Sequence, residues 1–230
     1  MERCDFLPVS AEEMHERGWW WYDALVVGGD AYVDHPSFGT AVISRVLEAE
    51  GLRVAVLAQP DWHDAEAFRA MGRPRLGVFI GAGNLDSMVA HYTAAKRRRS
   101  EDFYSPGKRS GCRPDRAAIV YCNRAREAFG PDMPIILGSL EASLRRFAHY
   151  DYWDDSVRRA ILFDAPADLL VYGMGEAATI EIAHRLKKKQ SVRTMTDIPG
   201  TGYITRDPSV CKFDHITLPS FEDVRDDKRL

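Results

Sequence analysis

The chain has 230 residues, with 31 Lys and Arg against 34 Asp and Glu and a formal net charge of −3. Hydrophobic residues make up 45% and charged residues 28%, the balance of a globular chain able to bury a substantial core. This near-neutral charge gives no general attraction to nucleic acid or anionic lipid, no apolar run is long enough to span a bilayer, and the acidic start has no secretory h-region, so a cytoplasmic protein is expected.

Residues 1–22 read as an amino-terminal extension carrying Trp19-Trp20-Trp21-Tyr22. Residues 23–28 form an apolar strand that breaks into Gly28-Gly29, and 38–50 form an amphipathic helix closed by Gly51. A second strand is expected over 52–58, a short helix over 64–71, a third strand over 76–80 and a helix over 85–92. The polar interval 93–113 is an insertion with the basic run Lys96-Arg97-Arg98-Arg99. Pro114 then opens a helix reaching residue 129. A fourth strand follows at 135–137, a helix at 140–153, a fifth strand at 168–172, a helix with a basic end at 176–189 and a short last strand at 201–205. Residues 206–230 are polar and unpatterned and read as a linker. Apolar strands alternating with helices predict an α/β domain over 23–205, a doubly wound, mostly parallel five-stranded sheet covered on both faces.

In such a sheet the loops after the strands share one edge, where ligands bind. The first loop supplies Asp30, Asp34, His35 and Ser37, and the second Asp61 and Trp62. The third supplies Gly83 and Asn84, the fourth Ser139 and Glu141, and the fifth Gly173, Gly175 and Glu176. Glycines allow close backbone approach, and helix starts present N–H groups to an anion. Each residue has a plainer reading: Asp34 or Ser37 as a helix cap, Asp30, Asp34 and Asp61 as separate carboxylates rather than a cation site, and Trp62 as core filling. Gly81-Ala82-Gly83-Asn84 lacks the spacing of a dinucleotide fingerprint. No residue is assigned a catalytic or metal-binding role. The crowded span around Arg145, Arg146 and Tyr152 reads either as a face for a partner domain or as an internal ion-pair network with the acids at 151, 154 and 155. The interval 96–113 could grip RNA phosphates, but a solvated loop is the favoured reading.

Several blocks carry a resemblance: GDAYVDHPSFG from Gly29, AQPDW from Ala58, GNLDSM from Gly83, HYTAAKRRRSEDFYSPG from His91, GSLEASLRRFAHYDYWDDSVRR from Gly138 and DLLVYGMGE from Asp168. In this order they resemble the amino-terminal region of the YgiQ-type radical S-adenosylmethionine (SAM) proteins. The resemblance implies a flavodoxin-like, cobalamin-binding type of domain. It also implies a 4Fe-4S cluster and S-adenosylmethionine in the full-length protein, held by a carboxy-terminal radical SAM domain of the same polypeptide. Cys4, Cys112, Cys122 and Cys211 are too far apart to form the cluster-binding Cys-x-x-x-Cys-x-x-Cys triplet. The Asp-x-His-x-x-Gly signature for an axial histidine on cobalamin is also unmatched, because residue 33 is Val and three residues separate His35 from Gly39. Cobalamin held without a protein ligand stays open. The expected function is an accessory domain giving substrate or cofactor contacts to a radical SAM enzyme. The alternative is a stand-alone module binding a corrinoid, nucleotide or RNA.

Overall fold

The computed structural model describes residues 6–227; Cys4, the first residues of the extension and the last three of the chain lie outside the described residues. Strands β1 (Ala24–Gly28), β2 (Val54–Ala58), β3 (Gly77–Gly81) and β4 (Ile135–Leu137) precede a short antiparallel hairpin, β5 (His149–Asp151) and β6 (Ser156–Arg158). Strands β7 (Leu169–Val171) and β8 (Thr201–Gly202) complete the set. The main sheet runs β2-β1-β3-β4-β7-β8. Its first five strands are parallel, in the flavodoxin-like order 2-1-3-4-5, and β8 adds a short antiparallel edge. Ala24 of β1 sits opposite both Val54 and Gly77, which places β1 at the centre of the amino-terminal half.

Period-two alternation divides the core between the two faces of the sheet. Leu25, Val27, Val78 and Leu137 pack with Phe68 of α3 (Glu66–Arg69) and Tyr121 of α5 (Ala117–Phe129). Ala24, Val26, Val54 and Phe79 pack with Leu47 of α2 (Gly39–Ala49) and Ile182 and Leu186 of α7 (Glu176–Lys187). Both faces are covered, which is why the strands read as continuous apolar runs rather than alternating ones. The extension is built into this core: it carries α1 (Ala11–Glu16), buries Leu7, Met14 and Tyr22, and donates Tyr22 Oη to the Gly72 carbonyl at 2.7 Å.

Two expectations are corrected. The helix expected over 140–153 stops early, as α6 (Ser139–Leu144), and the hairpin follows. The Asp151 carboxylate accepts the backbone N–H groups of Trp153 and Asp154, a local turn that competes with continued helix. Within the expected linker, α8 (Phe221–Asp226) forms behind a Ser220–Asp223 capping box. The basic run 96–99 and most of the interval 93–113 are exposed to solvent, yet the interval is not loose. It is tied down by bridges Tyr92–Arg98 and Glu101–Arg109 and buries Asp102, Ser105 and Arg113. Among the described residues no helix is long and apolar enough to cross a membrane.

Candidate functional site at the carboxyl edge

All five parallel strands end in a residue or pair that only a small or strained backbone accommodates, β2 in Gln59 at φ 45°. Gly28-Gly29 follows β1, and Gly83, Ser139 and Gly173 adopt positive φ of 110°, 75° and 69° after β3, β4 and β7. For Ser139 this is a sparsely populated conformation, of the kind that collects at ligand sites. The sharp turns bring the starts of α2, α6 and α7 over the strand ends. Between them lies a cavity of about 330 Å³. Its floor is apolar, from Val26, Phe79, Ile136 and Val171, and its mouth is ringed by Gly39, Gly81, Gly138, Gly173 and Gly175. The polar groups on its wall are few: Thr40, Ser139, Glu176 and Thr179. It opens where the strand order reverses between β1 and β3, the position at which doubly wound sheets take ligands.

The loop that follows β1 is held by ion pairs and hydrogen bonds rather than left as a row of free ligands. Asp30 is 4% exposed and pairs with Arg113 at 2.8 Å while accepting the Asn84 N–H at 2.7 Å. Burial pushes its carboxyl above the usual range, against the pull of Arg113. Arg113, fully buried, reaches on to Asp102 at 2.9 Å; Asp102 accepts Ser105 Oγ at 2.8 Å, and Ser105 Oγ accepts Gln59 Nε2 at 2.7 Å. This chain bolts the insertion to the ends of β1 and β2. It also explains Gly83, where a Cβ would lie 2.3 Å from the Asp30 carboxylate. Asn84 staples the next turn, donating to the Ser37 carbonyl and accepting the Gly39 N–H.

The other candidates are distributed as follows. Asp34 pairs with Arg45 of α2. His35 is exposed, and its Nδ1 accepts the Ser37 N–H at 3.1 Å. It is Pro36, not His35, that lines the cavity. Asp61 pairs with exposed His63, whose backbone N–H holds the Asp61 carboxyl below its usual range; Trp62 stacks on the same ring at 4.1 Å. These three face a separate open groove beneath the insertion, beside Arg109 and Cys112. Glu141 is buried, accepting the Ser87 N–H at 2.9 Å and the Ala118 N–H at 3.0 Å, so it ties the starts of α4 (Ser87–His91) and α5 together. Burial raises its pKa. Arg145 pairs inward with Asp86; Arg146 stays exposed on the rings of Phe147 and Tyr172; Tyr152 donates to the Ala94 carbonyl. The acids at 151 and 154 are neutralised by Arg116 and Arg158 instead.

The cavity thus gathers Gly83, Ser139, Gly173, Gly175 and Glu176 from the sequence candidates. Sequence reading missed Gly39, Thr40 and Thr179, which sit on the first turns of α2 and α7; the signal was available, since both helices begin directly after a strand-end loop. Arg113 carried no local signal at all. For an iron–sulfur cluster the residues do not fit. Cys122 is buried in the core with its thiol pKa pushed up, and among the described residues no three potential metal ligands converge.

The profile of the radical SAM N-terminal family matches residues 6–230. The chain belongs to this family. A UPF0313 protein of Clostridium botulinum (strain 657 / Type Ba4) is 55% identical over 229 residues, covering 100% of this chain and 36% of the relative. A UPF0313 protein of Clostridium perfringens (strain SM101 / Type A) is 52% identical over 229 residues, covering 34% of its own length. This radical SAM N-terminal domain therefore spans about a third of the length of the curated relatives it matches, as expected for YgiQ-type proteins. Among solved structures, the radical SAM methyltransferase TsrM of Kitasatospora setae, with cobalamin and a 4Fe-4S cluster bound, aligns at a TM-score of 0.48 and 20% identity, over 80% of this chain and 27% of that one.

Proposed function

We propose that this domain holds a ligand for a radical SAM enzyme and that the reactive cluster belongs to the part of the polypeptide beyond this chain. The observation that carries the reading is the apolar, glycine-mouthed cavity at the β1/β3 switch point. Its few hydroxyls and apolar floor suit a flat, weakly polar ring carried at one end of a cofactor or substrate. Glu176 at the mouth disfavours a phosphate entering first. A corrinoid is the cofactor that fits this description, its nucleotide end entering the cavity. The donor set contains no histidine on the cavity wall, so such a corrinoid would be held by enclosure rather than by a protein ligand to cobalt. When bound, it would supply the group-transfer chemistry; the residues here would bind, orient and exclude water.

A thermal-shift titration of the chain tests this. Cobalamin is expected to raise the melting temperature, cobinamide (which lacks the nucleotide) to raise it less, and Thr179→Phe, which fills the cavity, to erase the difference. Equal shifts with both corrinoids, or a shift untouched by Thr179→Phe, would remove the cavity from the reading. The chain alone is expected to show no iron–sulfur absorbance after anaerobic reconstitution and no cleavage of S-adenosylmethionine. Turnover by the chain alone would overturn the division of labour.

A further inference from the structure

At the opposite, amino edge of the sheet the lead-ins of β2, β1 and β3 lie side by side, because the strand order is 2-1-3. This places Arg53, Trp21 and Arg75 together. The Arg53 guanidinium lies 4.0 Å from the Trp21 ring centroid and that of Arg75 lies 3.5 Å from it. Two planar groups at those distances cannot share one face, so the indole is sandwiched between the two cations. Arg53 continues the stack to Trp19 at 5.7 Å, and Arg17 lies over Trp19 at 5.5 Å. Trp20 projects from the same run, 79% exposed, and among the described residues its one ring contact is His15.

Charge bookkeeping separates this stack from the rest of the molecule. Most arginines elsewhere meet a carboxylate or a backbone carbonyl; neither Arg53 nor Arg75 forms an ion pair among the described residues. An arginine stacked on an indole keeps its in-plane N–H donors pointing outward in a fixed fork, ready for a bidentate carboxylate. Stacking alone is worth about 0.5–1 kcal/mol at an exposed site and does not neutralise the charge. Exposed Trp beside ordered Arg is also the composition of protein-interface hot spots.

The geometry points to a second binding surface: the Arg53–Trp21–Arg75 sandwich docks an acidic segment of a partner protein, two carboxylates engaging the two guanidinium forks, with the exposed Trp20, next in the chain, offering an apolar contact alongside. The surface lies at the other end of the sheet from the cavity, so both can be engaged at once.

The test titrates the chain with a short glutamate-rich peptide containing one leucine, read by tryptophan fluorescence. The glutamine version of the peptide and oligouridylate are the comparison probes. The acidic peptide is expected to bind and to weaken at least tenfold between low and physiological salt. The Arg53→Gln/Arg75→Gln variant is expected to lose at least tenfold more, while its melting temperature falls by no more than a few degrees and its shift on adding cobalamin matches that of the parent. Trp20→Ala is expected to lose less than the double variant. Binding of the peptide equally well by the double variant, equal binding of the glutamine peptide, or binding of oligouridylate alone would each overturn the assignment.

Discussion

The two ends of one sheet treat arginine in opposite ways. At the carboxyl edge Arg113 is fully buried between two carboxylates, and Arg145 is paired with Asp86. At the amino edge Arg53 and Arg75 lie on an indole, and among the described residues neither guanidinium forms an ion pair, the nearby Asp23 carboxylate being taken up by the Arg53 backbone N–H. The difference follows from burial. A guanidinium taken out of water requires neutralising partners, whereas one at the surface can rely on solvent and a π face. Charges at the first end hold the fold together, and those at the second are available to something else.

The largest way to break this contrast is Arg113→Met. It strands Asp30 and Asp102 as buried carboxylates and is expected to cost about 3–5 kcal/mol in denaturant unfolding. Adding Asp30→Asn and Asp102→Asn to it should recover a good part of that loss. A loss below about 1 kcal/mol for Arg113→Met would show that the triad is not what fixes the insertion. Next is Gly83→Ala, expected to cost about 1–3 kcal/mol from its positive φ alone, with more from the displaced Asp30 carboxylate.

Glu141 sharpens the comparison through pH. Its folded-state pKa lies above the ordinary 4.5 because it is buried. Below 4.5 its contribution to stability is fully present, and it is lost as pH rises through the raised folded value. Glu141→Gln should therefore flatten the stability profile above pH 4.5, measured as the difference between variant and parent in urea midpoints. An unchanged slope would mean that the two backbone N–H groups keep the carboxylate ionised throughout. The smallest effect is expected from Arg75→Gln, at most about 1 kcal/mol, since only a surface stack is lost.

Much of this architecture was legible in the letters. Continuous apolar runs such as 24–27 and 54–57 announce strands covered on both faces, and parallel strands then fix which loops share an edge. The glycines at 83, 173 and 175 and Ser139 could be placed on that edge without coordinates. What stayed hidden depends on contacts distant in sequence. Arg113 reads as the tail of a basic run, yet its partners are 83 and 11 residues away in sequence, at Asp30 and Asp102. Glu141 reads as a rim acid, but the starts of two other helices converge on it. Residues 145–158 share composition with an amphipathic helix; the Asx turn at Asp151 and the positive φ of 51° at Asp155 send the chain into a hairpin instead.

The bolt through Arg113 has a consequence for motion. The Ala31 N–H is donated to the Tyr104 carbonyl, so a strand-end amide is capped by the insertion itself. With the insertion fastened at Asp102, Ser105 and Arg113, its hydrogen-bonded amides are expected to open only together with the strand ends that hold it. They should exchange with deuterium on the same slow clock as the central strands, making a surface segment kinetically part of the core.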